Sequence, residues 1–407
     1  MVKLKDKTLG ACPERNRRVF VGMSGGVDSS VSAALLQKEG YEVTGVFIKT
    51  WSPDWLPCTW REERRDAMRV AAKLKIPLLT LDLEKEYKGK VVDYMIAEYR
   101  AGRVPNPDGM CNKVIKFGGF FDFAINNGAD FVATGHYAGV SKEQRIPFSA
   151  HGKRGEFATK ITSNSPKSIV TRLMTSADKL KDQTYFLWML TQRELSKTLF
   201  PIGNLQKSEV RKLAKKFGLP NAEKKDSQGL CFMGKIVVKD FLKHYIKEKP
   251  GKVLNEDGDV IGEHEGVTFY TIGQRHGFSI NSKTPEDLPW FVISKDIKKN
   301  TITVSHEKIS EQNNARELFI ENINWCEGMA PNLSKKYSAR IRYRQPLQTC
   351  QLYLEVEPPS KNRVYRVVFN KPQESIAPGQ SVVVYDKNVC LGGGVILPTP
   401  KGRDHRF

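Results

Sequence analysis

The stretch Val19–Gly40, VFVGMSGGVDSSVSAALLQKEG, constrains the fold more than any other part of the chain. An apolar run of strand type meets two glycines, an aspartate and serines, and a small-residue helix pattern follows without a break. The alternation continues downstream. YEVTGVFIKTW reads as a strand, EERRDAMRVAAKLK as an amphipathic helix, PLLTLDL as a strand, the run to NPDGMCNKVIKFGGFFDFAINNG as helical, and ADFVATGHYA as a further strand. Strands alternating with helices predict an α/β fold with a doubly wound parallel sheet, whose ligands bind at the carboxyl ends of strands. SGGVDSS and TGHYA both fall at such ends.

Beyond this block the pattern changes twice. Residues 141–176 lack periodicity and read as an irregular, basic excursion. DQTYFLWMLTQRELSKTLFPIG reads as helical up to Pro201 and Gly203, and KSEVRKLAKKFGLP as a compact amphipathic helix stopped at Gly218 and Pro220. That basic helix suits either an RNA backbone or open water. From about Gly251 short strands and turns take over. The tail from Glu317 to Pro398, with LYLEVE, RVYRVVF, SVVVYD and GGGVIL, predicts an all-β domain of barrel or sandwich type. Three domains are expected: 1–205 around the glycine turn, 206–295 as a small central α+β domain, and 296–407 as the all-β domain.

A Walker-type phosphate loop needs a lysine that reaches the β/γ-phosphates. Ser24-Gly25-Gly26-Val27-Asp28-Ser29-Ser30 has no such lysine but keeps the remaining physics. Glycines allow close backbone approach, and N–H groups at a helix start form an anion nest. Asp28 among phosphates makes sense as a Mg²⁺ ligand. A tight turn with a capping Asp or Ser would account for two glycines alone; the whole motif after a strand is far more specific.

Charge narrows the partner. Lys+Arg 65 against Asp+Glu 45 gives a formal net charge of +20 in 407 residues, which favours a polyanion because each neutralised phosphate releases counterions. No apolar run approaches the roughly 20 residues of a membrane helix, and the first eighteen residues have no signal-peptide core. A cytoplasmic protein without membrane association is expected. The seven cysteines, Cys12, Cys58, Cys111, Cys231, Cys326, Cys350 and Cys390, are scattered and form no CxxC pair, which argues against a structural zinc site and a secreted disulfide framework.

Two cysteines stand in distinctive surroundings. Cys111 lies in NPDGMCNK before a helical run, where a helix N-terminus and Lys113 and Lys116 would favour the thiolate. Cys231 lies in DSQGLCFMG, between flexible glycines. Either one alone reads more simply as a small buried hydrophobe. The ordered set SGGVDSS, NPD-x-x-CNK, TGHYA, KDQ-x-YFL, DS-x-G-x-CF-x-G, FYTIGQR and RYRQ, however, closely resembles the tRNA-specific 2-thiouridylase family over about Arg18 to Leu397. SGGVDSS itself resembles the PP-loop of N-type ATP pyrophosphatases, which cleave ATP between the α- and β-phosphates.

The resemblance implies a PP-loop domain, a central domain and a C-terminal β-barrel. It further implies ATP-dependent replacement of the C2 oxygen of the wobble uridine by sulfur in tRNAs for Lys, Glu and Gln. On that pattern, ATP lies on Gly22, Met23, Ser24, Gly25, Gly26, Val27, Asp28 and Ser29, with Ile48 and Gly135 around adenine and ribose. Asn106, Pro107 and Asp108 meet the flipped base, Asp108 as a general acid/base. Cys231 carries a persulfide, and Cys111 is the nucleophile that cleaves its S–S bond through a Cys111–Cys231 disulfide, before or after attack on C2. His136, Lys181, Asp182, Gln183, Arg342, Tyr343 and Gln380 match tRNA-contact positions, although His136 equally suits a structural hydrogen-bonding histidine. ATP and Mg²⁺ are the cofactors implied. Beyond tRNA, the partners are a persulfide donor (a cysteine desulfurase or sulfur-relay protein) and an external reductant. The remaining cysteines are expected to pack or lie idle.

Two rivals remain. An amide-forming PP-loop synthetase would need an ammonia source and has no use for the two cysteines. A non-enzymatic tRNA-binding protein would need neither the cysteines nor an intact SGGVDSS.

Overall fold

The computed structural model describes residues 16–56, 60–145, 168–226, 237–281, 288–307, 315–355, 363–374 and 376–398. Its N-terminal unit is the expected parallel sheet. Five strands lie in the order Leu78–Asp82, Glu42–Lys49, Arg18–Gly22, Phe131–Ala133, Thr198–Leu199. The chain leaves the middle strand, builds outward on one side, and returns to build on the other. Its switch point therefore lies between Arg18–Gly22 and Phe131–Ala133, the crevice where such sheets take ligands. Val19, Val21, Val46 and Val132 are fully buried, because β-branched side chains fill a sheet covered on both faces.

The helix Lys207–Lys216 belongs to this unit in space. Its Val210 and Ala214 share a core with Val27 and Val31 of the helix Val27–Lys38. A break after residue 205 would part it from the helix it packs on. The central unit is a five-stranded sheet in the order Phe278–Ile280, Val260–His264, Gly251–Leu254, Thr301–Ser305, Phe291–Asp296. A break after 295 would divide its last hairpin.

The C-terminal unit is a barrel, not a sandwich. Six antiparallel strands run in the order Ala315–Trp325, Val364–Gln373, Gln348–Glu355, Tyr337–Arg340, Ser381–Asp386, Val389–Ile396, and the first pairs with the last. Closure leaves no free edge among the six.

Two sequence expectations need correction. The supposedly irregular 141–176 contains two strand arms, Ala138–Arg145 and Ser168–Thr175, paired antiparallel over eight residues and joined to the barrel at Met174 and Leu173. Thr171 and Leu173 are buried while Ile169 is 63% exposed. All three lie on one face of the strand, so a buried threonine and an isoleucine left exposed at that face's end blur the alternation that marks a strand. Residues 146–167 of that excursion lie outside the described residues.

The second correction concerns DQTYFLWMLTQREL, which is mostly turn. Only the 3₁₀ segment Thr184–Phe186 and the short helix Gln192–Leu195 are helical. Tyr185, Leu187, Trp188 and Leu190 all sink into one cluster with Val383, Tyr385 and Cys390 of the barrel. A run buried on every side has no stripe to keep facing one way, so its apolar density misleads.

A second shared core holds the central unit on. Leu83, Tyr87, Met95, Cys111 and Ile115 of the N-terminal unit pack with Phe241, Val253, Phe269, Val292 and Ile302. Among the described residues, no helix is long and apolar enough to cross a membrane.

Candidate active site

The glycine turn has the geometry of an anion cradle. Gly25 sits at φ +72°, and a Cβ there would run into the Glu63 carbonyl. Only glycine tolerates both demands at no steric cost. Gly26 is the N-cap of Val27–Lys38 and supplies no side-chain cap. The first N–H groups of a twelve-residue helix thus lack the usual capping oxygen and suit an anion. Ser30 Oγ donates to Gly26 O at 2.8 Å and Ser29 Oγ to the same carbonyl at 3.2 Å. The loop is held from outside by Asn221, whose amide donates to Gly25 O (3.0 Å) and Ser30 Oγ (2.9 Å). Gly135 abuts the loop's back, where a Cβ would lie 2.6 Å from Ser29 N. Ile48 stands near the carboxyl end of Glu42–Lys49, half-buried between two cores.

A lysine distant in the chain reaches the aspartate of this turn. Lys207 Nζ reaches both carboxylate oxygens of Asp28 at 2.8 Å, and also Asp226 at 2.8 Å. It opens the helix Lys207–Lys216, its own N–H donating to Asp178 at 3.0 Å. Tyr137 OH donates to Asp28 at 3.0 Å, and burial followed by the Asp28 charge pushes its phenol well up. Asp226 is ringed by Lys181, Lys207 and Arg211, each at 2.8 Å. Burial opposes its ionisation, but hydrogen bonds from Lys181 and Lys207 outweigh that and bring it down to about 2. Sequence reading took KSEVRKLAKKFG for RNA backbone or open water. A lysine opening a helix just after a strand-end loop was the only available signal.

A second set of groups converges from the other side of the crevice. The helical run from 107 to 126 passes the carboxyl edge of the sheet. Phe120 packs on Gly22, and Lys116 Nζ lies 3.3 Å from His136 Nε2. His136 Nδ1 is 2.7 Å from Thr134 Oγ1, and the ring is 7% exposed. Burial, then the Lys116 charge, hold its pKa well below the ordinary 6.5. The neutral ring accepts from Lys116 and donates to Thr134.

Asn106 caps this run, accepting from Gly109 N at 3.0 Å, and Pro107 opens the helix. The Asn106 side-chain nitrogen is buried with no hydrogen-bond partner among the described residues. Burial raises the Asp108 carboxyl, with Lys116 opposing. Such a carboxyl moves toward the range useful for proton transfer. Cys111 is the fifth residue of the helix, not the first, because the chain already turns helical at Pro107. It is 4% exposed in the seam between the N-terminal and central units. Cys231, five residues beyond Asp226, lies outside the described residues, as do Cys12 and Cys58. Cys326, Cys350 and Cys390 are buried in cores.

The remaining expected contacts divide. Lys181 faces the cradle through Asp226. Asp182 is 2% exposed and spends its carboxylate on Ser176 N, Thr184 Oγ1 and Arg340. Gln183 accepts from Tyr137 N at 2.9 Å, steadying the residue that touches Asp28. Arg342 and Tyr343 line a cavity of about 410 Å³ with Arg344, Gln348 and Lys371. Tyr343 packs on Phe186 with ring centroids 4.6 Å apart. Gln380 does not face that cavity. Its amide donates to Val104 O (3.0 Å) and Pro105 O (2.9 Å), one residue before Asn106.

A doubly wound sheet with a glycine turn of anion-cradle geometry at its switch point, its aspartate paired with Lys207, defines an α/β protein with a site suited to an anion. Models for a tRNA methyl transferase HUP domain, a tRNA methyl transferase PRC-barrel domain and an aminomethyltransferase beta-barrel domain match residues 17–235, 239–306 and 315–396. The tRNA-specific 2-thiouridylase MnmA of Streptococcus agalactiae is 44% identical over 94% of this chain and 95% of that protein. The one from Acinetobacter baylyi is 43% identical over 94% of this chain and 99% of that protein. The chain belongs to the tRNA-specific 2-thiouridylase family.

Proposed function

We propose that this protein is an ATP-dependent tRNA-uridine 2-sulfurtransferase, acting in the cytoplasm on the wobble uridine of tRNAs for Lys, Glu and Gln. The observation that carries the reading is the convergence at one crevice of the Ser24–Ser30 cradle with the helical run that bears Asn106, Asp108 and Cys111. An amide-forming synthetase has no use for that run's buried thiol. Its division of labour would follow the three units: cradle and base pocket in the N-terminal one, sulfur-bearing loop between it and the central sheet, tRNA grip on the barrel.

The residues present fit a nucleoside triphosphate: an uncapped helix start, a left-handed glycine with no room for a side chain, and a lysine within reach. Bound ATP would supply an α-phosphorus that turns the uridine C2 oxygen into a leaving group. The C2 oxygen attacks that phosphorus, and the bond to the β-phosphate breaks. The cradle N–H groups and Lys207 are the groups that would hold the pyrophosphate, so preorganised charge would meet charge as it develops. Asp28, freed from Lys207, is the residue that would hold Mg²⁺. Asn106 and Asp108 orient the base, Asp108 giving or taking its proton.

Sulfur arrives as a persulfide on Cys231, loaded by a cysteine desulfurase or sulfur-relay protein. Its terminal sulfur attacks C2 and AMP leaves. The Cys111 thiolate attacks the Cys231 sulfur, the S–S bond breaks, and a Cys111–Cys231 disulfide forms. Two electrons from an external reductant restore both thiols. The test is 2-thiouridine, by nucleoside mass spectrometry, in unmodified tRNA for Glu incubated with protein, ATP, Mg²⁺, a cysteine desulfurase with cysteine as persulfide donor, and a thiol reductant. Product from wild type that disappears in Asp28→Ala supports the reading. No product, with ATP and tRNA both bound, returns the amide-forming alternative.

A further inference from the structure

Four residues ahead of the base pocket are tied down by both of the other units. Lys295, on the central strand Phe291–Asp296, donates to Gly102 O at 3.1 Å and to Tyr270 O at 2.7 Å. Both partners are carbonyls; among the described residues it makes no ion pair. Burial alone lowers this ammonium to about 8. Placing a cation where only carbonyl dipoles answer it is costly, and a methionine would pack there without that cost. Gly102 is at φ +76°, with Ile297 occupying the space of a side chain. From the barrel, Pro378 O accepts from Val104 N at 2.8 Å, while the Gln380 amide takes Val104 O and Pro105 O. Gln380 is itself locked to the last barrel strand, its carbonyl accepting from Ile396 N at 2.8 Å. Arg103 adds an internal clasp to Glu98. The next residue is Asn106, with its unpartnered buried amide.

We propose that residues 102–105 form a tie through which the central and barrel units jointly set the attitude of Asn106 and Asp108, with Lys295 and Gln380 as positioning residues. The inference rests on the base-pocket role given to Asn106 and Asp108. It gives Gln380 a role on the chain that presents the base pocket. It also gives the Lys295 ammonium a purpose that stability does not: a donor that holds the Gly102 carbonyl across the seam. Placement errors of about 1 Å at a reacting centre can cost on the order of 100-fold in rate. A tie four residues long is short enough to transmit them.

The test uses full-length protein and the variants Lys295→Met and Gln380→Leu. Hydrogen exchange of the free protein reads the tie without any chemistry. Amides of residues 102–111 should exchange about tenfold faster in each variant, and those of residues 24–30 should not change. Single-turnover AMP formation on tRNA should fall about 10- to 100-fold, with tRNA affinity and the affinity for ATP alone kept within about twofold. Lys295→Arg, which keeps the donors, should recover most of the rate. Unchanged exchange at 102–111 overturns the tie. Faster exchange with an unaltered rate overturns the positioning role and leaves a structural one. A loss of tRNA affinity in Gln380→Leu with normal exchange returns that residue to RNA contact and also overturns the proposal. A wild type that makes no 2-thiouridine defeats the parent reading, and the exchange result stands apart from it.

Discussion

The glycine turn and the proposed base pocket at Asn106 and Asp108 are built in different ways. The cradle is nearly all local: seven consecutive residues, a strand before and a helix after, with hydroxyls bonded within the turn. The pocket is assembled from three units, its entry chain held by Lys295 and Gln380 and its thiol buried in a seam between cores. A local device can be rigid as soon as its own hydrogen bonds form. A composite one is only as well placed as the domains that meet around it, which makes it the place where distant contacts reach the chemistry.

The sharpest way to break the contrast is to separate the two half-reactions. Cys111→Ser should lower 2-thiouridine formation about 1000-fold or more while AMP is still formed, since removing a nucleophile leaves the activation step intact. AMP loss in parallel would mean that the pocket and the cradle are not separable. Lys207→Met attacks the cradle's one borrowed part. Adenylation should fall about 100-fold, as for loss of one preorganised charge, and inorganic pyrophosphate should no longer raise the melting temperature. Pyrophosphate stabilisation equal to wild type would show that Lys207 is only a counter-ion to Asp28.

Smaller effects sharpen the comparison. Gly135→Ala places a methyl 2.6 Å from Ser29 N and should cost about 1–3 kcal/mol by overpacking. Denaturant titration checks that number, with a raised KM for ATP as the sign that the cradle itself has moved. The last prediction concerns pH. His136 is neutral and buried, with its pKa held well below 6.5, so below about pH 6.5 the unfolded chain binds a proton that the folded one does not. Stability should therefore fall with acidification, by up to about 1.4 kcal/mol per pH unit, until the folded-state pKa is reached. His136→Gln should flatten that part of the profile in acid-dependent melting. An unchanged slope would place the titration elsewhere.

Much of the architecture was legible in the chain. Alternating strand and helix signals pointed to the parallel sheet and to the strand ends where such sheets take ligands, and the strand-rich tail pointed to the all-β domain. Where reading failed, the cause was packing. Tyr185, Leu187, Trp188 and Leu190 have helix-like density but serve a core that surrounds them. Residues 168–175 hide a strand because Thr171 takes an inner position. The burial of Asp182 and His136 is likewise set by packing and has no signal of its own in their motifs.

By itself the sequence determined the cradle, because every group it needs lies within a few bonds of the next along the backbone and local sterics leave glycine no substitute at Gly25. It could not determine which lysine serves that cradle. Lys207 stands 179 residues from Asp28, and only the packing of Val210 and Ala214 against Val27 and Val31 brings its ammonium there. The same holds for Lys295 and Gln380 at the base pocket. Their partners are backbone carbonyls, which every residue carries, so no residue type in the sequence marks the place where they dock; only the folded chain, with its burial and its distances, decides it.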